Sequence, residues 1–198
     1  MVTRRRSLAS GGALSLAIEI VMMALTQVRH KVWDRKTYYK VGETGAFDGE
    51  RVELVEGEVI QLRPQNHDHA STVGRLTNLL VIEFHQTHVV RVQLPLDLGD
   101  LSQPEPDFAL VRSEENEQSR PHPQSADLVI EVSDSSLAFD RGEKASVYAK
   151  AGLAEYWIVN LASRQIEVLS SPGADPEAPL GFRYHSLTTW KTGSVSPG

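Results

Sequence analysis

The apolar positions of this chain change period several times, and each change marks an element. Residues 51–55 and 58–62 alternate apolar and polar side chains on either side of Glu56-Gly57, which predicts a β-hairpin. Residues 67–88 place Val73, Leu76, Leu80 and Phe84 at the spacing of one helical face. A β-branched strand follows at 89–96, stopped by Pro95, and Pro106-Asp107 opens another at 108–111. Residues 126–132 are almost wholly apolar, the pattern of a strand covered on both faces. Residues 141–151 predict a helix closed by Gly152. Residues 155–160 and 165–169 predict a C-terminal hairpin, and 182–187 offers a last strand. A short helix is expected at 36–46, and the polar, Pro-flanked stretch 113–123 reads as a surface loop. The expected fold is α/β of the α+β type: one mixed sheet with helices packed on it.

The first 30 residues follow a different pattern. Arg4, Arg5 and Arg6 precede a mostly apolar run over 11–25 that Glu19 interrupts. That is the outline of a signal peptide, but no small-residue cleavage pattern follows Leu25. The run also falls short of the ~20 residues of a membrane span. The favoured expectation is a translation start at Met22 or Met23, with 1–30 an extension and 31–198 the folded domain. An ordinary N-terminal helix and an export or membrane-attachment signal are the other readings. No stable membrane partner is expected.

Composition narrows the picture. A chain of 198 residues, 40% hydrophobic, is long and apolar enough for one domain with a real core. The absence of cysteine excludes disulfides, Cys-based zinc sites and a thiol nucleophile, and fits a cytoplasmic protein. With 20 Lys and Arg against 26 Asp and Glu, the formal charge is −6. That argues against a broad electrostatic hold on nucleic acid and leaves a local basic cleft open.

The candidate chemistry lies in a few acids and one lysine. Asp107 follows Pro106 at the mouth of a strand, where the restricted backbone holds its carboxylate at a fixed sheet edge. Glu131 is embedded in Leu128-Val-Ile-Glu-Val132, where an unpaired charge costs several kcal/mol, roughly. If these strands are neighbours, both carboxylates face one cation, and two carboxylates with water and phosphate is how Mg²⁺ is usually held. Such an ion polarises a phosphodiester and helps generate hydroxide. Lys144 lies on the following helix, where its ammonium could stabilise phosphorane charge or orient water, and Tyr148 shares its face. Glu53, set among apolar neighbours, is a third metal-ligand candidate.

Plainer readings stand beside these. An acid in a strand is usually solvated, Lys144 alone suits a helix surface, and Asp107 could be a turn residue. Arg141 and Glu143 suit a solvated helix face, and Trp157 reads as core. His67, Asp68 and His69 look superficially like metal ligands but fit better, with Asn66, as the capped start of a helix. Their spacing lacks the i, i+4 arrangement of a zinc helix.

The order of these pieces resembles the PD-(D/E)xK nuclease superfamily and, more closely, its Uma-type family. The matching stretches are Arg51-Val-Glu-Leu-Val-Glu-Gly-Glu-Val59, Gln103-Pro-Glu-Pro-Asp-Phe-Ala-Leu110 and Leu128-Val-Ile-Glu-Val-Ser-Asp-Ser-Ser136. Asp140-Arg-Gly-Glu-Lys144, Tyr148-Ala-Lys-Ala-Gly152 and Glu155-Tyr-Trp-Ile-Val-Asn160 complete the set. His69 and Gln93 stand where that family tends to carry His and Gln. The resemblance implies a restriction-endonuclease-like mixed sheet flanked by helices and Mg²⁺- or Mn²⁺-dependent hydrolysis of DNA. It makes Glu53, Asp107 and Glu131 the metal-binding acids and Lys144 the catalytic lysine, with His69, Gln93 and Tyr148 as accessory residues. One departure matters: the simple Glu-x-Lys pattern would put the lysine at Ser133. Lys144 can replace it only if its helix packs beside the Glu131 strand. DNA is the expected partner, and cutting both strands with one site per chain would favour a homodimer. The alternative is a catalytically inactive nuclease-fold module for DNA binding or assembly.

Overall fold

The computed structural model describes Ser15, residues 31–118 and residues 121–191. Apart from Ser15 and the expected domain start near Lys31, the N-terminal expectations lie outside the described residues. The chain divides into two compact units, Met1–Lys31 and Val32–Gly198, and the elements below belong to the second. They run α1 (Arg35–Gly42), β1 (Val52–Val55), β2 (Glu58–Gln61), α2 (His67–Phe84), β3 (His88–Val92), β4 (Phe108–Arg112) and α3 (Ser113–Gln118). After β5 (Leu128–Ser133) come a single turn α4 (Leu137–Phe139), a π-helical turn (Asp140–Lys144) and α5 (Ala145–Lys150). The chain then forms β6 (Glu155–Asn160), β7 (Gln165–Ala174) and β8 (Phe182–Lys191).

Strands β3 to β8 make a six-stranded sheet in sequential order, with β5 and β6 parallel and every other pair antiparallel. Alternation along the central strands divides the core between two faces. Leu128, Ile130 and Val132 join Phe108 and Leu110 under Val73 and Leu80 of α2. Val129 joins Ala109, Val111, Tyr156 and Ile158 against Val147 and Tyr148 of α5. Each such large side chain, removed from water, contributes roughly 1.5–3 kcal/mol. Trp157 packs, half-buried, on the α2 side.

Hairpin β1–β2 is a separate two-stranded sheet. Glu56 and Gly57 both have positive φ, 48° and 81°, which matches the two-residue turn suited to strand twist. A Cβ at Gly57 would also collide with the Val32 side chain and lie 3.2 Å from the Trp33 carbonyl oxygen. Gln103 N–H donates to the Leu54 carbonyl at 2.7 Å, tying β1 to the loop before β4.

The departures from the expected elements have physical causes. Residues 113–118 are helical where a loop is expected, because this short helix is polar all round and shows no apolar period. Glu114 and Glu115 suit the positive end of its dipole. β3 ends at Val92 rather than at 96, since Gln93 takes a positive φ of 51°. The expected helix 141–151 begins as a π turn, in which the Ala145 N–H reaches the Asp140 carbonyl. β7 and β8 run well past 169 and 187, where exposed β8 side chains carry no alternation.

Candidate active site

β4 and β5 are in register only as far as Phe108↔Ile130, so β5 runs on beyond the start of its neighbour. Side-chain carboxylates continue the pairing there. Val132 N–H donates to Asp107 Oδ2 at 2.8 Å, and Asp107 N–H donates to Glu131 Oε2 at 3.3 Å. Pro106 sets the chain direction just before this exchange. Asp107 Oδ2 also meets His69 Nε2 at 3.0 Å, and Oδ1 accepts from Gln93 Nε2 at 3.0 Å. His69 stands in the first turn of α2, which Asn66 caps by accepting from the His69 backbone N–H at 2.9 Å. The left-handed backbone of Gln93 places its N–H on the Asp107 carbonyl, at 3.1 Å.

Glu131 shares a strand face with Val129, opposite α5. Its Oε1 accepts from Lys144 Nζ and from Tyr148 OH, both at 2.8 Å. The helix therefore packs beside the Glu131 strand, and Lys144, the last residue of the π turn, is 4% exposed. Single π turns inside helices recur at functional sites. Glu53 comes from β1 and is fully buried. Its Oε1 lies 3.2 Å from Lys144 Nζ, a charge contact without hydrogen-bond alignment, and its Oε2 accepts from the Glu105 N–H at 3.0 Å. All seven residues singled out in the sequence are thus linked by contacts into one group. Their placement differs: Asp107, Glu131, Lys144 and His69 line a cleft of about 300 Å³, whereas Glu53 stands behind Lys144.

Three further residues carried no clear sequence signal. Asp140 is buried and its Oδ2 accepts from Ser133 and Ser136 hydroxyls, both at 2.6 Å. Its only sign was its place at the head of Asp-Arg-Gly-Glu-Lys144. Arg51 and Arg63 bring exposed guanidinium groups to the same cleft. Arg141, expected on a solvated face, forms two hydrogen bonds to Glu167 of β7, at 2.8 and 2.6 Å, and fastens the π turn to the sheet.

Negative charge dominates the buried part of the group. Burial pushes the Glu131 carboxyl up to about 8, with neighbouring acids adding to the shift and Lys144 opposing it. Burial works against the Lys144 ammonium, but Glu131 and Glu53 outweigh it and hold Lys144 above its ordinary value. Burial likewise raises Asp107, yet the hydrogen bonds from His69 and Gln93 prevail and keep it below the usual carboxylate range. His69 is correspondingly raised, chiefly by its hydrogen bond to Asp107.

Among the described residues, no three His, Asp or Glu side chains form a ready metal cage. Mg²⁺ does not require one, since it is commonly held by one or two carboxylates plus water and substrate phosphate. Asp107 and Glu131 supply hard oxygen donors on one cleft, within a surplus of buried acid, and they fit such an ion. No helix among the described residues is long and apolar enough to cross a membrane.

Comparison with known proteins agrees with this architecture. The Uma2 family, described as putative restriction endonuclease, matches residues 37–184. A crystal structure titled as a putative nuclease from Anabaena variabilis superposes with a TM-score of 0.52 at 14% identity. The match covers 71% of this chain and 76% of that one. The six-stranded mixed sheet with its flanking helices is thus restriction-endonuclease-like. No curated protein matches the chain.

Proposed function

The chain belongs to the Uma2 family, and from that premise we propose that it is a metal-dependent endonuclease hydrolysing DNA phosphodiester bonds. One observation carries the reading: Lys144 Nζ sits 2.8 Å from Glu131, whose other carboxylate oxygen accepts from Asp107, all on one cleft. Asp107 and Glu131 would hold Mg²⁺ or Mn²⁺. The bound ion would polarise the phosphoryl oxygen and lower the pKa of water.

The chain's own residues supply the rest. His69 and Gln93 fix both oxygens of Asp107, so the carboxylate meets its ligand already oriented. Tyr148 and the Asp107 N–H do the same for Glu131, one on each oxygen. The Lys144 ammonium is positioned to stabilise charge that grows on phosphorus oxygens as water attacks. Glu53 keeps Lys144 protonated and aimed from behind, a positioning role in place of direct ligation. We place this activity in the cytoplasm, and cutting of both strands with one site per chain would favour a homodimer.

The test is cleavage of plasmid and single-stranded DNA with Mg²⁺ or Mn²⁺, beside Asp107→Ala and Lys144→Ala. Cutting by the wild type and its loss in both variants supports the proposal. Undiminished cutting by Asp107→Ala sinks it. The direct contact of Lys144 with Glu131, which occupies one oxygen of a proposed metal ligand, favours a second reading, an inactive nuclease-fold module for DNA binding or assembly. That reading requires DNA binding with no cleavage under any divalent cation.

A further inference from the structure

Two clefts meet at Arg51 and Glu105, and the second has a different character from the first. It measures about 310 Å³ and is walled by Tyr38, Tyr39, Phe47 and Val52. The Tyr38 and Phe47 rings stack with centroids 5.6 Å apart and planes 28° apart. Tyr39 stands edge-on to Tyr38, also at 5.6 Å. The rings are held in place, since Tyr38 OH donates to the Val52 carbonyl at 2.9 Å and Tyr39 OH meets His122 Nε2 at 3.2 Å. Even so, Tyr39 remains 39% exposed. A cluster of packed rings, half-buried at Tyr38 and Phe47 and exposed at Tyr39, beside an exposed arginine forms a stacking platform with an anion contact.

This inference rests on the phosphodiester reading above. We propose that the aromatic pocket is a nucleobase subsite: an unpaired base next to the reacting phosphate stacks on Tyr38, Tyr39 and Phe47, and Arg51 holds the intervening phosphate. The shared wall of the two clefts is what links base and phosphate to one nucleotide strand. Every base offers a π-face, so the pocket accepts bases without strong sequence preference. A base inside a duplex is already stacked and paired, so the substrate must be single-stranded or locally opened. The negatively charged chain then needs no broad basic face, because the hold on substrate is local.

The test is fluorescence anisotropy of the full chain with a labelled single-stranded 12-mer, Ca²⁺ replacing Mg²⁺. The same oligomer carrying abasic positions, and its duplex, are the comparison probes. Tighter binding of the single strand than of the duplex is expected. So is a loss of about five- to fiftyfold for the abasic strand and for Tyr39→Ala. Phe47→Leu keeps an apolar side chain in place, guards against a folding artefact and should also weaken binding. Arg51→Ala should flatten the dependence of log Kd on log salt by about one unit. Equal affinity for intact and abasic strands, wild-type binding by both aromatic variants, or no binding of the intact strand would overturn the proposal. Cleavage by the wild-type chain with Mg²⁺ is read separately, so failure of the nuclease reading remains distinguishable.

Discussion

Lys144 Nζ lies 2.8 Å from Glu131 Oε1 and 3.2 Å from Glu53 Oε1, one ammonium between two buried carboxylates. The contact joins the π turn to the sheet on one side and to the β1–β2 hairpin on the other. Removing the ammonium leaves two acids buried without a counter-ion, a change that typically costs about 3–5 kcal/mol. Lys144→Met should therefore lower stability by that order and abolish cleavage. Adding Glu53→Gln should restore much of the stability without restoring cleavage. Thermal melts beside a cleavage assay check the pair of outcomes. A stable but inactive double variant is what separates the chemical role of Lys144 from its structural one.

Asp107→Asn keeps the shape and most hydrogen-bond partners of the side chain while removing its charge. Two protein carboxylates are proposed for the cation, so loss of one should weaken Mn²⁺ binding about 10- to 100-fold. Calorimetric titration of Mn²⁺ into the full chain measures this directly, with no substrate present. Gln93→Ala releases one oxygen of Asp107 and should give a smaller loss in the same titration. Unchanged Mn²⁺ affinity in Asp107→Asn would remove Asp107 from the proposed ligand set.

The pH dependence of the proposed reaction follows from Glu131. Its carboxyl is pushed up to about 8, chiefly by burial and against the pull of Lys144, so a proton competes with ligation near neutral pH. A cation must displace that proton to be ligated. Cation affinity, and cleavage at limiting Mg²⁺, should therefore rise as pH increases from 6 through about 8 and then level off. Saturating Mg²⁺ should move the midpoint downward, because the ion favours the ionised form. A rate that falls over this interval would contradict the arrangement.

Parts of this arrangement are legible in the sequence for physical reasons. Glu131 shows itself because a charge inside Leu-Val-Ile is costly, and Asp107 because Pro106 stiffens the backbone before it. The helix α2 and the central strands show clear periods because each buries a regular face. Asp140 does not show itself: among Arg, Gly, Glu and Lys it looks like a solvated helix start. Its burial comes from the π turn and from Ser133 and Ser136, which meet it only in the folded chain. Gln93 is named by the family resemblance alone, since nothing in its neighbours signals the left-handed backbone that aims it. The helix Ser113–Gln118 buries none of its residues, and hydrophobic periodicity cannot report an element that buries nothing.

The hairpin that carries Glu53 depends on its turn. Gly57 combines a φ of 81° with close approach to Val32 and Trp33. Gly57→Ala should destabilise the fold by roughly 1–3 kcal/mol, the range for a non-glycine residue forced into such a backbone. Glu56, at a φ of 48°, lies in the left-handed region that ordinary residues can occupy, so Glu56→Asn should be tolerated there. Its measurable cost should come from losing the Lys150 ion pair and the Ser102 contact. Chemical denaturation of the two variants distinguishes backbone strain from side-chain loss.

Arg141 and Glu167 provide a stability prediction away from the cleft. The Glu167 carboxyl accepts from Arg141 Nε and Nη2, and from Asn160 and Gln165, both at 2.9 Å. The Arg141 hydrogen bond, with those of Asn160 and Gln165, holds it well below its usual 4.5, at about 2. A carboxyl whose folded pKa is depressed contributes stability that is fully present above its unfolded pKa. That contribution should fade as pH falls from about 4.5 towards 2. Arg141 is 48% exposed, so solvent screening limits the effect to about 1–2 kcal/mol. Glu167→Gln should therefore lower the melting temperature at pH 7 while narrowing the gap to wild type at pH 3. Because this pair anchors the turn that presents Lys144, the variant should also lower cleavage at pH 7 without altering Mn²⁺ affinity.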